Sequence, residues 1–491
     1  MTTPLYRSGF EAVIGLEIHA QIASHTKLFS SAPSQVFGQE ANACVSFVDA
    51  AFPGMLPVIN EACVYQAVKL GLALKGAIRL TSVMERKHYF YPDNPAGYQI
   101  SQYKSPLVEG GAVPVKDNEG KEKMIRLQRI HIEQDAGKSL HDQDPRLSYV
   151  DFNRVGIGLM EIVSHPDLST PEEVAQYVKQ VRCVMRYLGV CHGDMEKGQM
   201  RVDVNVSVRH PGEALGTRVE IKNMNSLRFL QQALSYEIDR QIQEHEAGRS
   251  FKQETRTFDV AAGITRAIRS KEADTDYFYF PDPDLLPLVI SEEKVQQIVA
   301  DLIETPWDKS KRFMSAYHLS SYDAELLTED LEVATFFEHV VSLLPSVELC
   351  KIAANWIAGE LFALLKRKEL SSADCPITPQ DFAELVLCLS RKELSNLLGK
   401  DVLALMCETG QNPLTLMRER GLIQVSDQGQ VQSWVLAVLD REAVKVQEYL
   451  SGKEKLFAYL VGQVMKESKG KGNPQLIQDL LRQELLARQG A

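Results

Sequence analysis

Residues 13–22 read Val-Ile-Gly-Leu-Glu-Ile-His-Ala-Gln-Ile, and this stretch decides the fold. Apolar and polar side chains alternate along it, the period of a half-buried strand. Leu16, Ile18, Ala20 and Ile22 share one face; Glu17, His19 and Gln21 share the other. A carboxylate and an imidazole two residues apart on one side of a rigid strand can reach the same ion. For a single Glu-x-His the plainer account is an exposed polar face, because so short a match arises easily by chance. Repetition of the design further along changes that balance.

Three later segments repeat it. Val202, Val204, Val206 and Val208 share one face of residues 201–209, while Arg201, Asp203, Asn205, Ser207 and Arg209 share the other. Glu220 and Lys222 oppose Val219 and Ile221, and His131, Glu133 and Asp135 oppose Ile130 and Ile132. Four strands with apolar backs and acid-bearing fronts predict one antiparallel or mixed sheet, with helices behind and a charged concave front. One such face is ordinary solvated surface; four together point to a shared cation site.

At 491 residues the chain is too long for one core, so two to four domains are expected. A composition of 44% hydrophobic and 24% charged residues is that of an ordinary soluble protein. The net charge of −11 argues against a wholly basic nucleic-acid coat, though it permits a local basic site. The eight cysteines contain no Cys-x-x-Cys pair and read as reduced thiols rather than a disulfide frame. With no signal-peptide run and nothing near 18 uninterrupted apolar residues, a cytoplasmic location without membrane contact is expected.

Residues 1–290 are rich in strand signals, Gly and Pro, with turns at Pro53-Gly54 and Pro57 and helical character over 61–75. Residues 86–102 interleave aromatics with Arg and Lys, a composition that can stack a base but that a core strand with a proline-fixed loop explains as well. Residues 291–410 are helical in pattern, with Trp307 and Trp356 expected as packing anchors. Residues 411–491 form a further small helical unit, in which Leu456, Phe457, Leu460, Val461 and Val464 mark an amphipathic helix. This tail carries 11 Lys and Arg against 9 Asp and Glu, whereas the rest of the chain sums to −13. Lys453, Lys455, Lys466, Lys469 and Lys471 cluster around Gly470 and Gly472, either as a solvated helix end or as an RNA-backbone contact.

Several familiar motifs fail. Gly137-Lys138-Ser139 ends like a phosphate-binding loop, but Ile132 stands where its first glycine is required. No Gly-x-Gly-x-x-Gly follows a strand, and no Ser or Cys nucleophile arrangement is present. If ATP is used, acids and metal ions must hold its phosphates.

The stretches VIGLEIHAQ, RKHYFYPDNPAGYQISQ, DAGKSLH, DFNRVGIGLMEIVS, RVDVNVSVR, VEIKNMNS, QETRTFD, DYFYFPDPDLLP and YLVGQVMKESKGKGNPQ closely resemble the B subunits of aspartyl/glutamyl-tRNA amidotransferases. The resemblance covers nearly the whole chain and is densest over 13–287. It implies an α+β architecture: a cradle domain with a glutamine-synthetase-like sheet and helices over 1–290, a helical domain over 291–410 and an all-α, tRNA-binding tail over 411–491. It further implies a heterotrimer with a glutaminase and a small third chain, the A and C subunits of the family, acting on misacylated tRNA.

The implied chemistry is ATP-dependent phosphorylation of the Asp or Glu side-chain carboxylate on the tRNA, followed by amidation with ammonia from the glutaminase. By motif, Glu17, His19 and Glu161 are metal ligands and catalytic groups, with Asp203 and Glu220 as further ligands. Lys222 and Arg201 are assigned to phosphate contacts. Mg²⁺ is expected, and the histidine makes Mn²⁺ a good substitute. Many members carry two tandem acids where this chain has Glu133-Gln134, so Gln134 is expected as a weakened ligand through its carbonyl oxygen. Cys44 is single where some relatives have a cysteine pair, so no zinc is expected. Gly158, His165, Lys197 and Phe278 are further departures from the usual pattern. Two rival functions stand beside this one: a stand-alone carboxylate–amine ligase using free ammonia, and a non-catalytic tRNA scaffold whose acids bind structural ions.

Overall fold

A computed structural model describes residues 6–117, 119–140, 144, 146–270, 277–421, 428–468 and 472–489. The chain divides between Thr305 and Pro306 into two compact units. The first is built on a ten-stranded mixed sheet. In chain order its strands are β1 (Glu11–Gln21), β2 (Ala77–Ile78), β3 (Val108–Glu109), β4 (Ala112–Lys116) and β5 (Glu122–Gln134). There follow β6 (Gly158–Ser164), β7 (Met200–Arg209), β8 (Val219–Met224), β9 (Glu254–Asp259) and β10 (Ile264–Ser270). The spatial order is β10-β9-β8-β7-β1-β6-β5-β3-β2, with β4 paired to β5. Only the β8–β9 pairing within this set is parallel.

The alternation in the sequence is the alternation in the structure. Leu16, Ile18, Ala20, Val202, Val204, Val206, Ile221, Ile130, Ile132, Met160 and Ile162 are fully buried on the back of the sheet. Helices α2 (Pro171–Tyr187) and α3 (Leu227–Glu246) bring apolar stripes to this core, Val174, Val178 and Val181 from one and Leu230, Leu234 and Ile238 from the other. Each buried aliphatic contributes about 1.5–3 kcal/mol by leaving water. Helix α2 starts sharply: the Thr170 hydroxyl accepts from Glu173 N at 3.1 Å, and the Glu173 carboxylate accepts from Ser169 N at 2.9 Å. Helix α1 (Glu61–Ala73) occupies the segment expected to be helical.

The helix Glu292–Ala300 belongs with the first unit, where Lys294 Nζ lies 3.4 Å from Glu61. The second unit is helical and has two cores. One runs from Phe313 to Met417 and includes Trp356. The other runs from Val431 to Leu485 and takes in Leu460 and Val464 of the helix Leu456–Glu467. Leu416 and Met417 pack into the first of these, so the tail's own core starts later than residue 411. Among the described residues no helix is long and apolar enough to cross a membrane.

Candidate active site

The front of the sheet gathers polar side chains from five adjacent strands. Glu161 of β6 lies opposite His19 of β1 on one side and opposite His131 of β5 on the other. Arg201 of β7 flanks His19 from the far side, Glu17 faces Asp203, and Asn205 faces Glu220 of β8. No two neighbours in this row are close in sequence. Sheet topology alone assembles them.

His19, Glu133 and Glu161 form the tightest group: one ligand atom from each lies within 4.8 Å of the others. His19 Nδ1 is 3.5 Å from Glu133 and 3.9 Å from Glu161, and its Nε2 is 3.9 Å from Asp203. His131 Nε2 stands 3.2 Å from Glu161 and 3.7 Å from Glu133. Its Nδ1 is buried without a hydrogen-bond partner among the described residues, so His131 acts on the group through Nε2. Ser101 Oγ donates to Glu133 at 3.1 Å, and Asn205 Nδ2 donates to Glu17 at 3.0 Å.

The electrostatics follow from packing five acids, Glu17, Glu133, Glu161, Asp203 and Glu220, into one half-buried face. Burial opposes charging His19, but its hydrogen bond to Glu133 and the charges of Glu161 and Asp203 bring its pKa up to about 9. The same contest, led by burial against Glu161, brings His131 up to about 9. In return, burial works against ionising Glu161, and His131 and His19 overcome it to hold its carboxyl at about 2. Glu133 is likewise held well below the usual carboxylate range against its burial. Glu17 goes the other way, raised by burial and by its like-charged neighbour Glu161. The two imidazoles thus favour ionisation of Glu133 and Glu161, and those carboxylates in turn favour protonation of the imidazoles. The oxygen-rich donor set suits a hard divalent ion, with His19 the borderline donor.

Along the row, Lys222 Nζ lies 3.1 Å from Glu220 and 3.6 Å from Asp203. Those acids raise its pKa although burial opposes it. Glu220 is fixed from behind by Thr255 of β9, whose hydroxyl donates to it at 3.0 Å. Arg201 Nη2 donates to Asp135 at 2.9 Å, and Arg154 Nε lies 3.6 Å from the same carboxylate. Lys87, on the strand Glu85–His88, stands over the Tyr277 ring at 4.8 Å. Burial lowers and Glu133 then raises the pKa of Lys87, with a net upward shift.

The residues singled out from sequence thus fall into three sets. Glu17, His19, Glu161, Asp203, Glu220, Lys222 and Arg201 converge on the one face. Gln134 does not: it lies on the parity of Ile130 and Ile132 and lines a separate cavity with Phe29, Asn94 and Tyr98. The ligand position expected at Gln134 is off the cluster's face, which its neighbour Glu133 occupies, because adjacent strand residues point to opposite faces. The front alternation puts Glu133 and His131 on this face without giving either a particular role. Nothing in the sequence pattern marks Lys87, whose strand reaches the site only through tertiary packing.

The tail lysines form the third set. Lys455 and Lys466 are exposed, Lys453 Nζ pairs with Glu448 at 3.1 Å, and Lys469 and Lys471 lie outside the described residues. Lys466 sits in the last turn of its helix, and the next helix, Pro474–Gln489, begins with Gln475 N donating to Asn473 at 3.0 Å. In the aromatic segment, Phe90 is 84% exposed, so core packing does not account for that ring.

Similarity to known proteins runs along most of the chain. A family described as the GatB/GatE catalytic domain matches residues 12–296, and one described as the GatB domain matches residues 335–485. The B subunit of the aspartyl/glutamyl-tRNA(Asn/Gln) amidotransferase of Pelagibacter ubique is 49% identical over 97% of this chain and 96% of its own length. The protein of the same name from Rickettsia canadensis is 48% identical over 97% of this chain and 98% of its own. With both family domains and full-length relatives at this identity, the chain belongs to the family of B subunits of the aspartyl/glutamyl-tRNA(Asn/Gln) amidotransferases.

Proposed function

We propose that the front of the sheet is where an ATP-dependent ligase activates the side-chain carboxylate of Asp or Glu carried on a misacylated tRNA. A free carboxylate is a poor acyl donor because oxide is a bad leaving group. One carboxylate oxygen attacks the γ-phosphorus, the bond to the β-phosphate oxygen breaks, and ADP leaves. Ammonia then attacks the acyl carbon of the mixed anhydride, phosphate departs, and the nitrogen loses a proton to give the amide. Such chemistry needs charge neutralisation and positioning more than a covalent partner.

The observation that carries this reading is the convergence of His19, Glu133 and Glu161 within 4.8 Å, with Glu17, Asp203 and Glu220 beside them. These residues fit a divalent cation, Mg²⁺ or Mn²⁺, which supplies charge neutralisation for the triphosphate when bound. Lys222, beside Glu220 and Asp203, is positioned to take a phosphate oxygen. Arg201 orders Asp135 and, through it, the edge of the site.

Ammonia in this reading comes from a partner glutaminase, the A subunit, with a small C subunit completing a heterotrimer in the cytoplasm. The first unit, up to Thr305, and the two helical cores Phe313–Met417 and Val431–Leu485 serve in this reading as catalytic, connecting and tRNA-contacting parts. In the assembled enzyme, Glu17→Ala, His19→Ala and Glu161→Ala should each lower tRNA-dependent ATP hydrolysis at least about tenfold to a hundredfold. Folding should survive in all three, read as a parental circular dichroism spectrum at the assay temperature. Near-normal phosphate release in all three would reject a ligase site and favour a scaffold that merely binds structural ions.

A further inference from the structure

Between β1 and helix α1 the chain runs through residues 22–60 without a helix or a strand of the sheet. An irregular segment of this length inside a compact domain is commonly functional. A buried ion pair stands at its centre. Lys27 is fully buried, and its Nζ donates to Asp49 at 3.1 Å and to Cys44 O at 2.7 Å. Asp49 is buried as well and accepts from Ser30 Oγ and Ser46 N, both at 2.9 Å. We propose that Lys27 and Asp49 are positioning residues for the cation site: through the turn 152–157 they set Asp135, and Asp135 holds the Arg201 guanidinium beside the acid cluster rather than in it. This deepens the cation-dependent reading above and rests on it.

The path from the ion pair to Asp135 is one of close contacts. Gly156 has a φ of +81°, and an added Cβ there would lie 2.7 Å from Asp49 Oδ1 and 3.5 Å from Lys27 Cδ. The ion pair therefore packs directly on the backbone of the turn, where only glycine leaves it room. Leu28 N donates to Gly156 O at 2.9 Å. Further along, Cys44 N donates to Asn153 Oδ1 at 2.7 Å, and Phe152 N donates to Asn42 Oδ1 at 2.8 Å. The turn then grips Asp135 on both sides: Gly156 N donates to Asp135 O at 3.0 Å, and Asp135 N donates to Ile157 O at 2.8 Å. Arg154 Nε, which donates to Ala136 O at 2.9 Å, lies 3.6 Å from the Asp135 carboxylate.

What depends on Asp135 is the charge next to His19. Arg201 faces His19 across β7 and β1, and its Nη2 donates to Asp135 at 2.9 Å. Asp203 and Glu133 also attract this guanidinium, which stays charged at every working pH. Released from Asp135, it would pair with those two acids, which a divalent cation needs for itself. A buried ion pair is often no more stabilising than apolar side chains of the same volume. Its contribution here is geometric, because three donors meet on the Asp49 carboxylate and fix it against Gly156.

The test uses the assembled enzyme with Mn²⁺ alone, its affinity read by calorimetry at one fixed pH. Lys27→Met and Asp49→Asn should each weaken Mn²⁺ binding about tenfold, the size of effect seen when the support of a metal ligand is lost. The double substitution Lys27→Met, Asp49→Leu leaves no unpaired charge in the core, which guards against a single variant that fails to fold. It should show the same loss. In an Arg201→Gln background none of these substitutions should weaken Mn²⁺ binding further, because the guanidinium they release is gone. A merely structural role would lower the unfolding midpoint in both backgrounds and leave no such dependence on Arg201. Parental Mn²⁺ affinity in the folded double variant overturns the proposal, as does an equal loss with and without Arg201. Unchanged Mn²⁺ binding in Glu161→Ala would instead overturn the cation site itself, and this proposal with it.

Discussion

At the scale of single residues, the proton is the competitor of the metal. His19 and His131 both rise to about 9 because carboxylates surround them, so at neutral pH both imidazoles carry protons. A cation can use an imidazole nitrogen only after its proton leaves. Affinity for Mn²⁺ or Mg²⁺ should therefore increase from pH 7 to about pH 9, by up to about tenfold per unit for each proton displaced. Calorimetry in buffers of different ionisation heat should register the released protons; a buffer-independent heat would refute displacement. Without metal the sign reverses for stability. Both histidines have folded pKa values above their unfolded value near 6.5, so their contribution is whole below that pH and is lost as pH rises through 9. A second residue-level prediction separates Glu133 from Gln134. Glu133→Gln should cut metal affinity at least about tenfold, whereas Gln134→Glu should leave it near the parent's, since that side chain sits on the other face. A marked gain in metal affinity for Gln134→Glu would restore it as a ligand.

At the scale of elements, the parallel strand β9 has a role that its motif did not disclose. Thr255 is almost wholly buried and donates to Glu220, whose other oxygen faces Lys222. Behind it, Arg256 Nε and Thr265 Oγ1 meet the buried Glu237 of α3 at 3.4 and 2.8 Å, so the strand is anchored to the helix under the sheet. Thr255→Val keeps shape but removes the donor; it should raise the KM for metal–ATP about 10- to 100-fold, with the smaller share of the effect in kcat. Thr255→Ser should restore it, and a Val variant with parental KM would show that Glu220 orients itself. Alternation alone assigned Leu16 and Ile18 to the back and Glu17 and His19 to the front, because the strand period leaves no other choice. Which strands stand next to β1 is a matter of topology: β6 and β7 come from residues far downstream. No spacing rule could bring Glu133 to His19 or Lys87 near Glu133, and the tandem position points to Gln134, which is on the other parity.

At the scale of the whole molecule, the helical tail can be separated from chemistry. It lacks the acid-bearing strands, and its core from Val431 to Leu485 is closed by its own residues. Leu416 and Met417 belong to the preceding core, so a cut after Gly421 spares that core, whereas one near Gln411 would strip it. Several tail cations are already spent on ion pairs, Arg441 with Glu467 and Arg488 with Asp440, both at 2.6 Å. Lys455 and Lys466 are exposed and extend the charge outward. If these lysines meet the tRNA backbone, removing residues 422–491 should weaken binding of misacylated tRNA and flatten its dependence on salt. Each lost phosphate contact lowers the slope of log K against log salt by roughly 0.7–0.9, so even two or three contacts are measurable. The double substitution Lys455→Ala, Lys466→Ala should reproduce part of that flattening without touching the core, which guards against a truncation that merely unfolds. Glutamine hydrolysis by the assembled complex without tRNA should persist in both, because nothing in the tail supplies that chemistry. Equal tRNA affinity with an unchanged salt slope in truncated and parental enzymes would remove the tail from the RNA interface, leaving its lysines as solvated helix ends.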